Sequence, residues 1–143
     1  MTESAASPGR DAVEDFTYSN LSPRPPGRWL VALGWVLPGV RAVRRQTRPY
    51  GEAWRRSNLQ ALAGEGPLWV VLGDSLSQGL GASTPDRGWV GQLRDRLAGE
   101  GHPFRVVNLS VSGARIHEVL DTQVPALEAL TAPPDLVLSL IHI

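Results

Sequence analysis

Two serine- and glycine-rich segments carry residue types that suit nucleophilic catalysis. The first is Gly73-Asp-Ser-Leu-Ser-Gln-Gly79, and the second is Asn108-Leu-Ser-Val-Ser-Gly113. A hydroxyl nucleophile needs an exposed Oγ on a fixed backbone, together with N–H groups aimed at the developing oxyanion. Ser75 can supply the hydroxyl and its own N–H, and Gly113, which lacks a Cβ, lets a carbonyl oxygen approach its N–H closely. The two segments therefore predict an acyl-transfer site with Ser75 as nucleophile and Gly113 in the oxyanion hole.

The sequence from residue 67 onward predicts the strands and helices that position both segments. Residues 68–72 and 104–109 are short apolar runs typical of buried parallel strands, and 135–138 begins a third run of this kind. Between the first and second strands, apolar residues at helical spacing predict a helix over Trp89, Val90, Leu93 and Leu97. Between the second and third strands, the same spacing predicts a helix over Ile116, Val119, Leu120, Leu127 and Leu130, with a break at Pro125. This order predicts βαβ units and a parallel sheet. Because ligand sites form outside the carboxyl ends of the strands in such sheets, both segments are expected at one crevice.

The two segments resemble the signature blocks of a known enzyme family. Gly73-Asp74-Ser75-Leu76-Ser77, placed after an apolar strand, resembles the first block of the GDSL/SGNH hydrolases, and the Asn-x-Ser-x-x-Gly pattern of 108–113 resembles the second. Residues 79–89 also resemble the loop and helix start of bacterial members, and the use of Arg for every basic residue is typical of high-GC genomes such as those of actinobacteria. The resemblance covers residues 67–137. It implies a flavodoxin-like three-layer α/β/α fold, incomplete in this chain, and hydrolysis of small-molecule acyl esters through an acyl-enzyme, with no metal and no cofactor.

The resemblance also implies roles for individual residues. Ser75 matches the nucleophile of the family and, through its N–H, one donor of the oxyanion hole, and Gly113 matches the second donor. Asp74 is expected to be structural, because an acid beside the nucleophile would raise the pKa of the serine hydroxyl. The competing interpretations are a helix N-cap at Ser75 and a turn glycine without a ligand at Gly113.

Two further blocks of the family have no match in this chain. The third block, Gly-x-Asn-Asp, supplies an Asn donor to the oxyanion hole, and the last block, Asp-x-x-His, supplies the catalytic base. The residues three positions before His102, His117 and His142 are Gly99, Ala114 and Ser139, so none provides the Asp. Ser75 therefore has no identifiable base here. The nucleophile elbow of the α/β-hydrolases does not fit either, since the serine lies in Gly-x-Ser-x-Ser.

The final residues, 138–143, suggest why these blocks are missing. Leu-Ser-Leu-Ile-His-Ile is the in-frame translation of CTG TCT CTT ATA CAC ATC, which matches a transposon end used to prepare sequencing libraries. The hypothesis is that 67–137 is a partial hydrolase domain followed by a non-native tail, and that this fragment is inactive although its full-length parent is an esterase. The alternative is a native apolar strand end.

The first 66 residues are expected to lie outside the catalytic domain. Residues 1–28, rich in Pro and Ser, are predicted to be a disordered lead-in, and their acidic residues argue against a secretory signal, so a cytoplasmic location is expected. Residues 29–66 are predicted to be an apolar, Arg-rich helical segment. Its apolar run, 29–40, is shorter than the roughly 20 residues of a membrane span. A helix packed on the domain is favoured over membrane-surface contact through 29–56.

Composition and charge exclude several other classes of protein. The formal net charge is +0, so no general attraction to nucleic acid is expected. The absence of cysteine excludes disulfides, thiolate zinc sites and a cysteine nucleophile. The main rival function is a phosphate- or nucleotide-binding α/β module that uses the loop from Gly73 to Gly81 at a helix N-terminus. That loop lacks the Gly-x-Gly-x-x-Gly spacing and the P-loop Lys, which favours the hydrolase.

Overall fold

A parallel sheet of three strands forms the centre of the protein. The computed structural model describes residues 13, 15–25 and 38–141. The strands are β1 (Leu68–Gly73), β2 (Arg105–Asn108) and β3 (Leu136–Leu140), in the spatial order β2-β1-β3. Both neighbours run parallel to β1, which is buried along its whole length. The predicted α/β fold with a parallel sheet is therefore confirmed, and a first strand between the second and the third is how the flavodoxin-like strand order begins.

Helical segments connect and cover the strands. They are α1 (Pro38–Ala63), a short 3-10 helix (Pro85–Arg87), α2 (Trp89–Gly99), α3 (Ile116–Glu118), a π-helical turn (Val119–Gln123) and α4 (Val124–Glu128). The interruption that the sequence predicts at Pro125 lies just before that residue, where the N–H of Val124 donates to the carbonyl of Val119 in a π-type bond. Pro125 is the second residue of α4, which directly follows this turn, so its missing N–H falls where the hydrogen-bond pattern of the helix is already interrupted.

Each face of the sheet carries its own hydrophobic core, because successive side chains of β1 point to opposite faces. One core packs under α4 and under Val13, Phe16 and Tyr18. Its buried members are Leu62, Leu68, Val70, Leu72, Val107, Leu109 and Val119. The other core packs under α2, and its buried members are Trp54, Trp69, Val71, Val90 and Val106. Helices on both faces give the three-layer α/β/α arrangement.

Helix α1 covers the free edge of β2. Its Trp54 belongs to one core and its Leu62 to the other, so the helix crosses the edge of the sheet from face to face. Asn58, fully buried between them, accepts a hydrogen bond from the N–H of Asn108 (2.7 Å) and donates to its carbonyl (2.8 Å). The side-chain amide thus takes the place of a neighbouring strand at Asn108, so the edge of the sheet is paired at that residue.

Residues 15–25 differ from the disordered lead-in expected over 1–28. The hydroxyl of Tyr18 donates to the carbonyl of Leu109 (2.6 Å), and Nδ2 of Asn20 donates to the carbonyls of Asn108 (2.7 Å) and Ser110 (3.0 Å). Asn20 is only 1% exposed. The segment is held by these long-range polar contacts, which a Pro- and Ser-rich composition does not reveal. The rest of that lead-in and residues 26–37 lie outside the described residues.

Two further expectations concern the ends of the domain. Within residues 13, 15–25 and 38–141, no helix combines the length and the hydropathy needed to cross a bilayer. Membrane-surface contact through 29–56 and a cytoplasmic location stay predictions. Residues 138–140 of the suspected tail form part of β3 and pair with β1, whereas 142–143 lie outside the described residues. The domain boundaries also stay predictions.

Candidate active site

The site begins at Gly73, where β1 ends and the chain turns towards Ser75. Gly73 has a φ of +146°, and a Cβ added there would lie 2.2 Å from the carbonyl oxygen of Leu140 and 2.5 Å from Oγ of Ser77. No real Cβ approaches other atoms so closely. The end of β1 packs closely against β3 and against the turn that contains Ser77, and this packing requires glycine at position 73.

Residues 74–80 form a compact turn around the Asp74 side chain, which is only 4% exposed. Oδ1 of Asp74 accepts a hydrogen bond from the N–H of Leu76 (2.9 Å). The backbone carbonyl of Asp74 accepts one from the N–H of Gln78 (3.3 Å). The carbonyl of Ser75 accepts the N–H of Leu80 (3.0 Å). These bonds hold the backbone on both sides of Ser75, which is the structural role that the sequence predicts for Asp74.

Ser75 is partly exposed, whereas Ser77 and Gln78 are fully buried. Among the described residues, no side chain or backbone group forms a hydrogen bond with Oγ of Ser75. The turn does not lead into a regular helix, because residues 75–80 are turns and the next α-helix begins only at Trp89. Neither a helix N-cap at Ser75 nor a phosphate site at a helix N-terminus fits this geometry. An accessible hydroxyl on a rigid turn fits a nucleophile.

The second segment is bonded directly to the first. Nδ2 of Asn108 donates to the carbonyl of Ser77 (2.8 Å), and its Oδ1 accepts the N–H of Ser110 (3.0 Å). Further along, the N–H of Val111 donates to the carbonyl of Gly73 (3.2 Å). These contacts place the two segments side by side at the carboxyl edge of β1 and β2.

Gly113 lies in an exposed turn with a φ of +79°. The N–H of Ala114 donates to the carbonyl of Val111 (3.0 Å) and closes this turn. No heavy atom lies within 4 Å of a Cβ added at Gly113, so the space beside it is open. Over the described part of the chain, the N–H groups of Ser75 and Gly113 have no intramolecular acceptor. Ser75 lies two residues after Gly73, and Gly113 lies two residues after Val111. Because the N–H of Val111 donates to the carbonyl of Gly73, the N–H groups of Ser75 and Gly113 lie at the same edge of the sheet.

A buried polar network beneath the site was not predicted from the sequence. Nε2 of Gln78 donates to the carbonyls of Asn20 (2.8 Å) and Ser110 (2.8 Å), and Nδ2 of Asn58 donates to Oδ1 of Asn20 (3.2 Å). The network ties α1 and residues 15–25 to both motif segments. One signal was present, because Asn58 lies four residues from both Trp54 and Leu62 and so shares their helix face.

The described histidines do not form a base for Ser75. His102 is exposed and precedes β2, so it lies at the amino edge of the sheet, opposite the site. His117 is exposed in α3, and no hydrogen bond joins it to Ser75. His142 lies outside the described residues. Within 13, 15–25 and 38–141, no three His, Cys, Asp or Glu side chains cluster closely enough to hold a metal ion.

Comparisons with known proteins agree with the motifs. The model of the GDSL-like Lipase/Acylhydrolase family matches residues 71–141, which include Ser75 and Gly113. Over 65 residues the chain is 46% identical to Esterase TesA of Pseudomonas aeruginosa, an alignment that covers 41% of this chain. The alignment covers 32% of that esterase, so the chain spans about a third of the length of this curated relative. No solved structure matches the chain significantly.

Proposed function

Because the chain belongs to the GDSL-like lipase/acylhydrolase family, we propose that the protein hydrolyses carboxylic esters of small molecules through an acyl-enzyme on Ser75. The observation that carries the proposal is the bonding of Gly73 to Val111 (3.2 Å), which joins the turn of Ser75 to the turn of Gly113. A partly exposed hydroxyl and two N–H groups without intramolecular acceptors in the described chain then lie at one edge of the sheet. Acyl transfer to a serine hydroxyl uses such a nucleophile and such donors, together with a general base.

In the proposed mechanism, Oγ of Ser75 attacks the ester carbonyl carbon while a general base removes its proton. The carbonyl oxygen becomes an oxyanion and accepts hydrogen bonds from the N–H groups of Ser75 and Gly113. Collapse of this intermediate expels the alcohol, which takes up the proton, and leaves the acyl group on Ser75. Water activated by the same base then releases the carboxylic acid. Each oxyanion donor is expected to lower the barrier by about 3–4 kcal/mol.

We propose that this chain is part of a longer protein, called the intact protein below, and that the base lies in its sequence after β3. Neither His102 nor His117 has an Asp three residues earlier, and His102 lies at the opposite edge of the sheet. A base must reach hydrogen-bonding distance of the serine hydroxyl. The 143-residue chain alone is therefore expected to hydrolyse short-chain p-nitrophenyl esters no faster than buffer does, whereas the intact protein turns them over.

Labelling with a fluorophosphonate probe tests the nucleophile. In the intact protein, the probe is expected to modify Ser75, and Ser75→Ala is expected to abolish labelling and to lower kcat by about 10⁶-fold. Ser83→Ala is the matched control, because Ser83 is an exposed serine of the same loop region and has no assigned role. Labelling or ester turnover that survives Ser75→Ala would refute the proposal.

A further inference from the structure

Gln123 binds both backbone polar groups of Gly73 through its side chain. Its Oε1 accepts the N–H of Gly73 at 2.8 Å, and its Nε2 donates to the carbonyl of Gly73, also at 2.8 Å. Gln123 is fully buried, and it is the last residue of the π-helical turn between α3 and α4. A side-chain amide that donates and accepts at one residue reproduces the pairing of a neighbouring strand.

This contact lies at the position where β1 gives way to the turn of Ser75. Gly73 is the last residue of β1, and only Asp74 separates it from the serine. The carbonyl of Gly73 also accepts the N–H of Val111 (3.2 Å), two residues before Gly113. One backbone carbonyl is thus shared by Gln123 and the second segment, so a displacement of Gly73 would move both the serine and the second N–H donor.

The π-helical turn is the local structure that presents Gln123. Its residues Leu120, Asp121 and Thr122 are exposed, whereas Val119 and Gln123 are buried. Val119 belongs to the hydrophobic core, so an amide four residues later on the same face enters an apolar environment, where its hydrogen bonds to Gly73 satisfy both polar ends. Single π turns inside α-helices occur frequently at functional sites.

We propose that Gln123 is a positioning residue, which fixes Gly73 and thereby sets the place of the Ser75 hydroxyl and of both N–H donors. The inference rests on the proposed function of Ser75. In the described part of the chain, the hydrogen bonds of the Gln123 side chain go to the backbone of Gly73 and not to Ser75, so its effect on the serine is carried by that backbone. Its loss is therefore expected to lower kcat and to leave KM within about twofold, because transition-state geometry is affected more than substrate binding.

Two substitutions separate positioning from general stability. Gln123→Leu removes both hydrogen bonds with little change in volume. Gln123→Glu keeps the acceptor for the N–H of Gly73, but its ionised carboxylate faces the Gly73 carbonyl without a proton to donate. Protonation of the glutamate restores the donor, and burial raises the pKa of a carboxyl group, so that restoration is expected at mildly acidic pH. Gln92→Glu is the control, since Nε2 of Gln92 also donates to a backbone carbonyl, that of Arg87 (2.7 Å), away from the site.

The measurement is the second-order rate of fluorophosphonate labelling of the intact protein across pH, divided at each pH by the wild-type rate. This ratio is expected to fall about 10- to 100-fold for Gln123→Leu at every pH, and to rise towards one for Gln123→Glu as the pH is lowered. For Gln92→Glu it is expected to stay near one. If Gln123→Leu fails to fold, the positioning role is tested by Gln123→Glu alone. A ratio that rises as the pH is lowered supports that role, and a ratio that stays near one at all pH values overturns it.

The outcomes distinguish this inference from the proposed function. Folded Gln123→Leu and Gln123→Glu proteins that label at the wild-type rate at all pH values would overturn the positioning role alone. A wild-type protein that is not labelled at Ser75 would overturn the proposed function and this inference with it. Amide hydrogen exchange at Gly73 gives a second readout, because loss of Gln123 is expected to accelerate exchange at that N–H.

Discussion

Replacing Asn58 by alanine is expected to remove a large part of the stability of the domain. The side chain is fully buried, and it makes hydrogen bonds to the N–H and carbonyl of Asn108 and to Oδ1 of Asn20. In Asn58→Ala, the carbonyl of Asn108 keeps its bond from Nδ2 of Asn20 (2.7 Å). The N–H of Asn108 faces the covered edge of the sheet and keeps no partner among the described residues.

The magnitude follows from these contacts. A buried N–H left without an acceptor costs about 1–3 kcal/mol, and the lost bond to Asn20 adds about 1 kcal/mol. The total of about 2–4 kcal/mol compares with the roughly 5–15 kcal/mol that stabilises a typical domain. For a domain of this size, a loss of that order lowers the unfolding midpoint by about 5–15 °C.

Urea unfolding at constant pH, followed by circular dichroism, measures the change in free energy directly. Gln60→Ala is the matched control, because Gln60 is an exposed amide two residues further along α1. The control is expected to change the free energy of unfolding by less than about 0.5 kcal/mol. Equal effects of the two substitutions would show that the side chain of Asn58 does not satisfy the edge of β2, and would refute this account of how α1 is attached.

Two further predictions concern Tyr18 and Gly79. Burial raises the pKa of the Tyr18 phenol above its ordinary value, against a weaker opposite effect of a hydrogen bond with Thr122. The folded state then holds the phenolic proton more tightly than the unfolded state. The resulting contribution to the free energy of unfolding is constant below the ordinary pKa of about 10 and is lost as the pH rises above it. Tyr18→Phe is expected to cost about 1 kcal/mol near neutral pH, through the lost bond to a backbone carbonyl, and to reduce the loss of stability at alkaline pH. An alkaline decline as steep as in the wild type, in urea titrations, would contradict this. Gly79 has a φ of +82°, and a Cβ there would lie 2.8 Å from the carbonyl oxygen of Pro85. Gly79→Ala is expected to destabilise the fold by about 1–3 kcal/mol, whereas Gly99→Ala, at the helical end of α2 with open space around it, is expected to be neutral or stabilising. Thermal melts that rank these two variants in the reverse order would refute the assignment.

The contacts around Gly73 show how far the prediction from sequence extended. The motif segments, the strands and the parallel sheet were predicted, because apolar runs and helical spacing are local patterns. The structure shows why glycine stands at position 73, since a Cβ there would lie 2.2 Å from the carbonyl oxygen of Leu140. Its partners Gln123 and Val111 were not predicted, because nothing in their local sequence indicates which backbone groups they meet.

The ordered segment 15–25 shows the opposite limit. Its composition predicts a disordered lead-in, yet Asn20 is buried against the second motif segment. Composition reports whether a segment can bury much apolar surface by itself. Composition does not report that the side-chain amide of Asn20 donates to carbonyls at the end of β2. These hydrogen bonds hold the segment against the domain.

The sequence by itself therefore determined the order of strands and helices, and with it the edge at which Ser75 and Gly113 lie. Parallel strands joined by helical crossovers bring all their carboxyl ends to one edge, whatever the detailed packing. Only the tertiary structure decided what holds that edge in place. Asn20, Asn58 and Gln123 bind backbone groups 88, 50 and 50 residues away in the chain. The need for such a partner arises only when folding buries a backbone group without a neighbouring strand, and that condition has no periodic signature in the sequence.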